Sequence, residues 1–418
     1  MPLDLTSFDA ALKEHYTDRA IENLTYDNNP FFAMVKKYEK FDGDVLPIPV
    51  IFGTPQGRSH TFSQAQTVAA LTTGKYGKFS VTRVNDHEVV TIDNETIEAS
   101  SSKDGAFFEA QVTEIDNGMM ALTRNVAIEM FRSGFSPKGR VFTSSFGVTT
   151  LTLGTSTDGQ DKSSATNFEI GMQIVFSDTE GGSVLRDTAD FLTVTGVDVA
   201  AGTVTVDAVL TNIAGIAQND FIFVRGDRQS VASPVRLGIS GLEDWIPQTT
   251  PTATTFFGLN RLPHPTRLGG QRYDGSAVPL DEAIFKGATL CAREGGRPDV
   301  AFVNYENYGS LINLLGSKVQ YVDVKVADIG FEGVRVVGPA GPIKVVPDQN
   351  CPGDRAYVLQ LNTWQLATLY KAIRFNNTDG MKVLRQSTAD AVEARMVFRG
   401  NLTCNAPGWN CNIKLAMS

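Results

Sequence analysis

Histidine, cysteine and tryptophan are scarce in this chain: 4, 4 and 3 among 418 residues. His15, His60, His87 and His264 lie on separate segments, which leaves a Cys/His or Ser/His/Asp site without support. Of the cysteines, Cys291, Cys351, Cys404 and Cys411, the last two are separated by six residues, a gap that suits neither a CxxC redox pair nor half of a zinc site. Reduced structural thiols are expected, with Cys404–Cys411 the one pair near enough in sequence to consider for a disulfide. No run of eighteen apolar residues occurs, and Met1-Pro2-Leu3-Asp4-Leu5 lacks a basic stretch followed by an apolar one, so neither membrane spanning nor secretion is indicated. Lysine and arginine nowhere cluster, and the formal charge is −9. A free-standing nucleic-acid binder is thereby disfavoured, although an acidic wall that encloses nucleic acid behind counterions is compatible.

Catalytic signatures are equally thin. His87-Glu88-Val89-Val90-Thr91 begins like a zinc protease helix, but Thr91 stands where the second imidazole belongs. Ser100-Ser101-Ser102-Lys103 has Ser-x-x-Lys spacing without a companion Lys-Thr-Gly and reads as a helix cap. The nucleophile elbow, the phosphate loop and the dinucleotide fingerprint are all missing. Asp86 with Glu88, and Glu95 with Glu98, read as ordinary surface acids. No catalytic residue, metal ligand or cofactor is expected, and the chain reads as a non-enzyme.

What the chain does have is an extended segment from Phe41 to Val84, rich in proline, glycine and threonine. Val45-Leu46-Pro47-Ile48-Pro49-Val50-Ile51-Phe52 carries two prolines that remove ladder donors and favour an edge strand. After the turn signals Gly74 and Gly77, Lys78-Phe79-Ser80-Val81-Thr82-Arg83-Val84 alternates as a return strand. A hairpin with legs of about 15 residues would reach about 50 Å. Two strands alone are marginal in water, so Phe52, Phe62, Val68, Leu71 and Phe79 call for another surface, taken here to be a neighbouring subunit. Upstream, Leu5, Phe8 and Leu12 have helical spacing, and Asn28-Asn29-Pro30 caps a short helix whose Phe31, Phe32, Met34 and Val35 pack locally or, in an arm, on another chain.

From Lys103 to Ser133, Phe108, Val112, Ile115, Met119, Leu122 and Val126 recur at gaps of four and three, which predicts one long helix ending at Gly134, Ser136 and Pro137. Residues 141–230 turn to short alternating runs, including Phe168–Phe176, Phe191–Thr195, Thr203–Val206 and Phe221–Val224, and predict a small inserted β-barrel or sandwich without a single tryptophan. Trp245–Val278 reads as a long loop. Beyond it the pattern predicts helices at Leu280–Cys291 and Tyr305–Leu315, strands at Asp299–Val303, Val319–Val326, Gly333–Val337, Ile343–Val346 and Ala356–Leu361, a helix at Thr363–Lys371 and a strand at Val392–Phe398. The class is α+β.

The order of these parts resembles the major capsid protein of tailed bacteriophages, the Hong Kong 97-type coat fold. Asn28-Asn29-Pro30-Phe31, Leu46-Pro47-Ile48-Pro49 and Pro55-Gln56-Gly57-Arg58-Ser59 carry the resemblance. So do Gly241-Leu242-Glu243-Asp244-Trp245-Ile246-Pro247, Phe257-Gly258-Leu259-Asn260-Arg261, Arg267-Leu268-Gly269-Gly270 and Val345-Val346-Pro347-Asp348. It implies an N-terminal arm (1–40), an extended hairpin arm or E-loop (41–84), a P-domain with a spine helix (85–140), the inserted β domain (141–232), a P-domain return with its long loop (233–279), an A-domain (280–385) and a closing P-domain strand (386–418). The expected function is a coat subunit that self-assembles as hexamers and pentamers into an icosahedral shell around double-stranded DNA, without sequence-specific binding and without a membrane. No long helical scaffolding segment precedes the arm, so the resemblance implies a separate scaffolding protein, besides a portal protein and a decoration protein as partners. Assembly in the host cytoplasm and residence in the virion follow from it. The expected intersubunit residues are Phe31, Phe32, Phe52, Arg58, Phe62, Leu71 and Phe79, with Arg58 in an ion pair. Some coat proteins of this fold crosslink an arm lysine to a neighbour's asparagine; Lys75 and Lys78 lie on the arm, but no catalytic carboxylate can be assigned and crosslinking is not expected. A tail-tube protein is the alternative, and a hydrolase the more distant one.

Overall fold

The computed structural model describes residues 29–93, 104–181, 185–187, 190–228, 235–315, 321–326, 329–370, 373–376, 383–385 and 390–416. The expected helix around Leu5–Leu12 and the Ser100–Lys103 cap lie outside these residues.

The fold mixes helices and sheets around three apolar cores. The first is organised by the 14-residue strand Ala391–Cys404. Its first ten residues pair antiparallel with Val84–Asp93, from Ala391 opposite Asp93 to Gly400 opposite Val84. Its last five pair with Trp364–Thr368, to which Lys36–Tyr38 adds a parallel strand. The helix predicted at Thr363–Lys371 is therefore wrong. A single 3-10 turn, Leu361–Thr363, leads into the strand Trp364–Thr368. Trp364, Leu366, Ala367 and Thr368 are all buried and Gln365 is half-buried, so burial in the core and a ready partner strand override local helix preference.

The long helix runs Asp104–Glu129, 26 residues or about 39 Å. Ile115, Met119, Leu122 and Val126 are all buried, as the four-and-three spacing predicts. Gly118 faces the sheet, where an added Cβ would stand 2.7 Å from Val90 Cγ2 and 2.6 Å from Met396 Cε.

A seven-stranded sheet builds the second core. Its order runs Gln271–Asp274, Cys411–Lys414, Arg355–Leu359, Val300–Val303, Gly341–Pro347, Ile329–Gly338, Tyr321–Val326. Val300-Ala301-Phe302-Val303, in the middle, is buried throughout, the mark of a strand covered on both faces. The helix Leu280–Arg293 covers one face with Ala283, Ile284, Ala288 and Cys291.

The β-rich middle forms a six-stranded sheet with its own core of Val141, Leu151, Leu153, Phe168, Ile174, Phe176, Val194, Val204 and Ile222, among others. Its strand order begins at Gly139–Arg140 and ends at Thr150–Thr152. A bridge between Val141 and Leu153 joins these two edges, so the sheet closes as a small barrel. The expected strand Phe168–Phe176 begins only at Gln173, because Ser163–Asn167 coils as a 3-10 helix and buries Phe168 at its exit.

Trp245–Val278 is not a plain loop. It carries a two-stranded ladder, Thr255–Phe256 with Leu259–Asn260, then the short helix Pro265–Gly269 and the strand Gln271–Asp274. All four cysteines are buried free thiols, so Cys404 and Cys411 are not bridged. Burial pushes the Cys404 thiol up to about 12.

Candidate assembly surfaces

The arm is a true hairpin. Val45–Gly53 pairs antiparallel with Lys75–Thr82, with Pro47 opposite Ser80 and Pro49 opposite Lys78. Gly77 lies inside the second strand and not at a turn, and the paired legs of 9 and 8 residues are shorter than expected. Alternation sends Ile48 and Val50 inward, while Pro47, Pro49 and Ile51 face out. Between the legs the chain forms a helix, Phe62–Leu71, in which no residue is buried. From Ser59 to Gly74 the sequence holds no Asp, Glu, Lys or Arg. The tip is thus an uncharged helix held away from the body, with Phe62 78% and Leu71 81% exposed.

The seven residues expected at an interface divide. Arg58, Phe62 and Leu71 are exposed on the arm, and Phe52 is half-buried at the tip end of the paired legs, where Arg267 Nη1 donates to its carbonyl at 3.1 Å. Phe31, Phe32 and Phe79 are buried by their own chain, which corrects the expectation that Phe79 needs a neighbour to cover it. Ile51 and Tyr76, 68% and 70% exposed, add two large side chains to the arm's uncovered surface. Their signal was present in the period of two, which places them on the outer face opposite Val50 and Phe79.

Trp245 fixes the arm's root. Its ring meets Phe79 and Phe256 at 5.1 Å and Trp364 at 6.5 Å, all edge-on, and its Nε1 donates to the Leu402 carbonyl at 3.0 Å. Arg261 donates to the Asp244 carbonyl at 2.8 Å and lies over Phe256; burial lowers its guanidinium pKa to about 10. Ser80 N–H donates to the Phe257 carbonyl at 2.8 Å, tying the returning leg to the Thr255–Asn260 ladder. The turn before Trp245 is equally tight: Gly241 N–H donates to Arg132 O at 3.0 Å.

Two sequence motifs, Asn28-Asn29-Pro30-Phe31 and Val345-Val346-Pro347-Asp348, meet in space. Phe31 N–H donates to Asp348 Oδ2 at 3.0 Å, and Asn350 Nδ2 donates to Asn29 Oδ1 at 2.8 Å. Phe31 packs 5.0 Å from both Phe131 and Phe302. Asp348 also accepts from Asn350 N–H at 2.9 Å, yet burial without a facing cation pushes its carboxyl up to about 6.

Asp86 corrects the reading of surface acids. On Val84–Asp93 the even positions Asp86, Glu88 and Val90 turn inward, towards the long helix. Asp86 accepts from Asn125 at 2.6 Å, while Glu129 accepts from Ser136 at 2.6 Å and from Ile239 N–H at 3.0 Å. The buried Lys138 donates to Asn125 from the other side. Burial first, then the Glu129 charge, lifts Asp86 to about 7, and burial lifts Asp227 to about 6. On the other side of the helix end, burial and the Glu243 charge lift Glu180 to about 7. Carboxyls raised on folding bind more protons in the native than in the unfolded state between roughly pH 4 and 7, so stability is fullest at the acid side of that window and falls as pH rises through it. For Asp348 alone, a rise from 3.8 to about 6 corresponds to about 3 kcal/mol. The melting temperature of the unassembled subunit should therefore drop between pH 5 and pH 8, and Asp86→Asn should flatten that slope. A melting temperature that climbs over the same range contradicts this account.

The body is thus self-sufficient, with three filled cores, while its longest projection ends in an uncharged, uncovered helix. Residues 210–407, just under half of the chain, match the family described as SU10 major capsid protein. That match supports a phage major capsid protein, a structural protein that forms the shell. No curated protein matches it. Among solved structures, the cyanophage A-1(L) capsid asymmetric unit aligns over 94% of this chain and 93% of its own, at 11% identity and a TM-score of 0.49. A Mycobacterium phage Bobi chain aligns over 94% and 91%, at 8% identity and a TM-score of 0.43. The virus-like particle of Pyrococcus furiosus aligns over 95% and 97%, at 7% identity and a TM-score of 0.38.

Proposed function

We propose that this coat subunit has the Hong Kong 97-type organisation and closes an icosahedral shell of hexamers and pentamers around double-stranded DNA. In this reading the arm (41–84) lies across a neighbouring subunit, the helix Asp104–Glu129 with the strand Ala391–Cys404 is the spine of the P-domain, and the seven-stranded sheet is the A-domain. The barrel is then an insertion on an exposed surface. The observation that carries the reading is the tip helix Phe62–Leu71, apolar at both ends, uncharged, and without one buried residue in its own chain. Assembly in the host cytoplasm with a separate scaffolding protein, a portal protein and a decoration protein completes the proposal.

Electron microscopy of the protein expressed alone, and with a scaffolding candidate, tests it. Closed shells or capsomer rings are expected, whereas rings stacked into tubes would favour a tail-tube protein and a dispersed monomer in both preparations would overturn the reading. The double variant Phe62→Asp/Leu71→Asp should abolish shells while leaving the melting temperature of the free subunit within about 1 °C, since neither side chain is packed in its own chain. Arg58→Ala should lower shell yield if Arg58 forms the intersubunit ion pair. Lys75 and Lys78 are both exposed on the arm, and mature particles should still run as monomers on denaturing gels.

A further inference from the structure

Lysine and arginine do not cluster along the sequence, yet the sheet around Ala391–Cys404 gathers them. The long helix covers the even positions of this strand, with Met396 beneath Gly118, so the odd positions look the other way. Val397 is the centre of that far face. Arg374 stands opposite it on one side and His87 on the other, while Arg395 and Arg399 lie two residues before and after it. Neighbours related in this way are about 5–8 Å apart at the backbone, so four basic side chains from three strands share one patch. Arg395 and His87 are exposed, and Arg374 and Arg399 are half-buried.

The patch is not neutralised. Glu393, the one acid among the odd positions from 393 to 399 and from 85 to 91, pairs with Arg395. Nε of Arg374 and Nε of Arg399 have no acceptor among the described residues. His87 feels the excess: its pKa is lowered first by burial and then by the Arg399 charge. Arg374 is stacked on Tyr370, its Cζ 3.1 Å from the ring centre, which fixes the guanidinium plane and leaves its N–H edge for an anion. On a chain of net charge −9, such a patch suits a polyanion. The arm tip of a second copy does not supply one, because residues 59–74 hold no acid. We propose that this face binds the phosphate backbone of duplex DNA, without reading its bases, through Arg374, Arg395 and Arg399. It is the side of the subunit that the shell-forming reading would turn towards the enclosed DNA. Binding is measured on the unassembled subunit, so its failure and that of the shell-forming reading are distinguishable.

A short duplex of mixed sequence, titrated at neutral pH and followed by fluorescence anisotropy, is the probe. Wild type should bind, with log K falling against log salt at a slope of roughly −2 to −3, as for two to three neutralised phosphates. Arg374→Gln/Arg399→Gln should make that slope shallower by about two. Lys162→Gln/Arg297→Gln removes the same charge from exposed positions elsewhere and should leave the slope unchanged. Equal losses in the two double variants would show that net charge and not this face attracts DNA, which overturns the proposal. So does an Arg374→Gln/Arg399→Gln subunit that binds DNA normally but no longer assembles, which would assign the face to a second copy. Wild type provides a readout that needs no substitution: the duplex should shield Arg374 and Arg399 from phenylglyoxal several-fold while Arg297 reacts as before. Equal modification with and without DNA equally overturns it.

Discussion

Gly241→Ala is expected to leave almost no soluble subunit. A Cβ at this position would stand 2.3 Å from the carbonyl oxygen of Glu129, 2.4 Å from that of Met130 and 2.5 Å from that of Arg132. All three are backbone atoms at the end of the long helix, so no side chain can swing aside. Either the helix end or the turn at 241 must move by about an ångström, and moving it breaks the bond from Gly241 N–H to Arg132 O and that from Leu242 N–H to Met130 O. Forced overpacking of this kind costs about 3 kcal/mol or more, a large share of a domain's stability. Gly258→Ala is the control: its φ of +78° is strained for alanine, but nothing lies within 4 Å of the new Cβ, and about 1 kcal/mol is expected. Soluble yield and urea midpoints of the two variants separate the effects. Equal stability of Gly241→Ala and wild type would mean that the turn is not packed as described.

Trp245→Ala should cost about 3–5 kcal/mol, the range for removing a large buried aromatic. The indole is fully buried and touches Phe79, Phe256, Phe257 and Trp364, which come from three separate stretches, the arm, the ladder and the core sheet. Its loss also strands the Leu402 carbonyl that accepts from Nε1. The damage should be lopsided. Phe79 is the arm's inner anchor, so hydrogen exchange ought to rise first along Lys75–Thr82 and Val45–Gly53, before the seven-stranded sheet is affected. Trp245→Phe, which keeps most of the apolar contact, should recover more than half of the lost stability. Uniform exchange across both sheets would argue that the indole does not hold the arm in particular.

Periodicity made most elements legible. Gaps of four and three at Ile115, Met119, Leu122 and Val126 gave the long helix and its buried face, and alternation from Val45 to Phe52 and from Lys78 to Val84 gave the arm. Where periodicity failed, the missing information lay in the partner. Trp364–Thr368 became a strand because a 14-residue neighbour offered it a ladder. Phe62 and Phe79 look alike in sequence, yet one is 78% exposed and the other fully buried, because only Phe79 lies beneath Trp245. Asp86 reads as a surface acid because its spacing shows which side of the strand it occupies, but not that a helix with Asn125 and Glu129 closes over that side. The tip helix is a further case: Phe62–Leu71 has no stripe facing its own core, which left its helical state unannounced.

The barrel's seam carries one last consequence. Its first strand, Gly139–Arg140, pairs directly with its last, Phe221–Val224, Gly139 standing opposite Ile222 and Arg140 opposite Phe221. The chain therefore leaves and re-enters the body at a single doorway. A module entered this way can be shortened, exchanged or enlarged without re-threading anything around it.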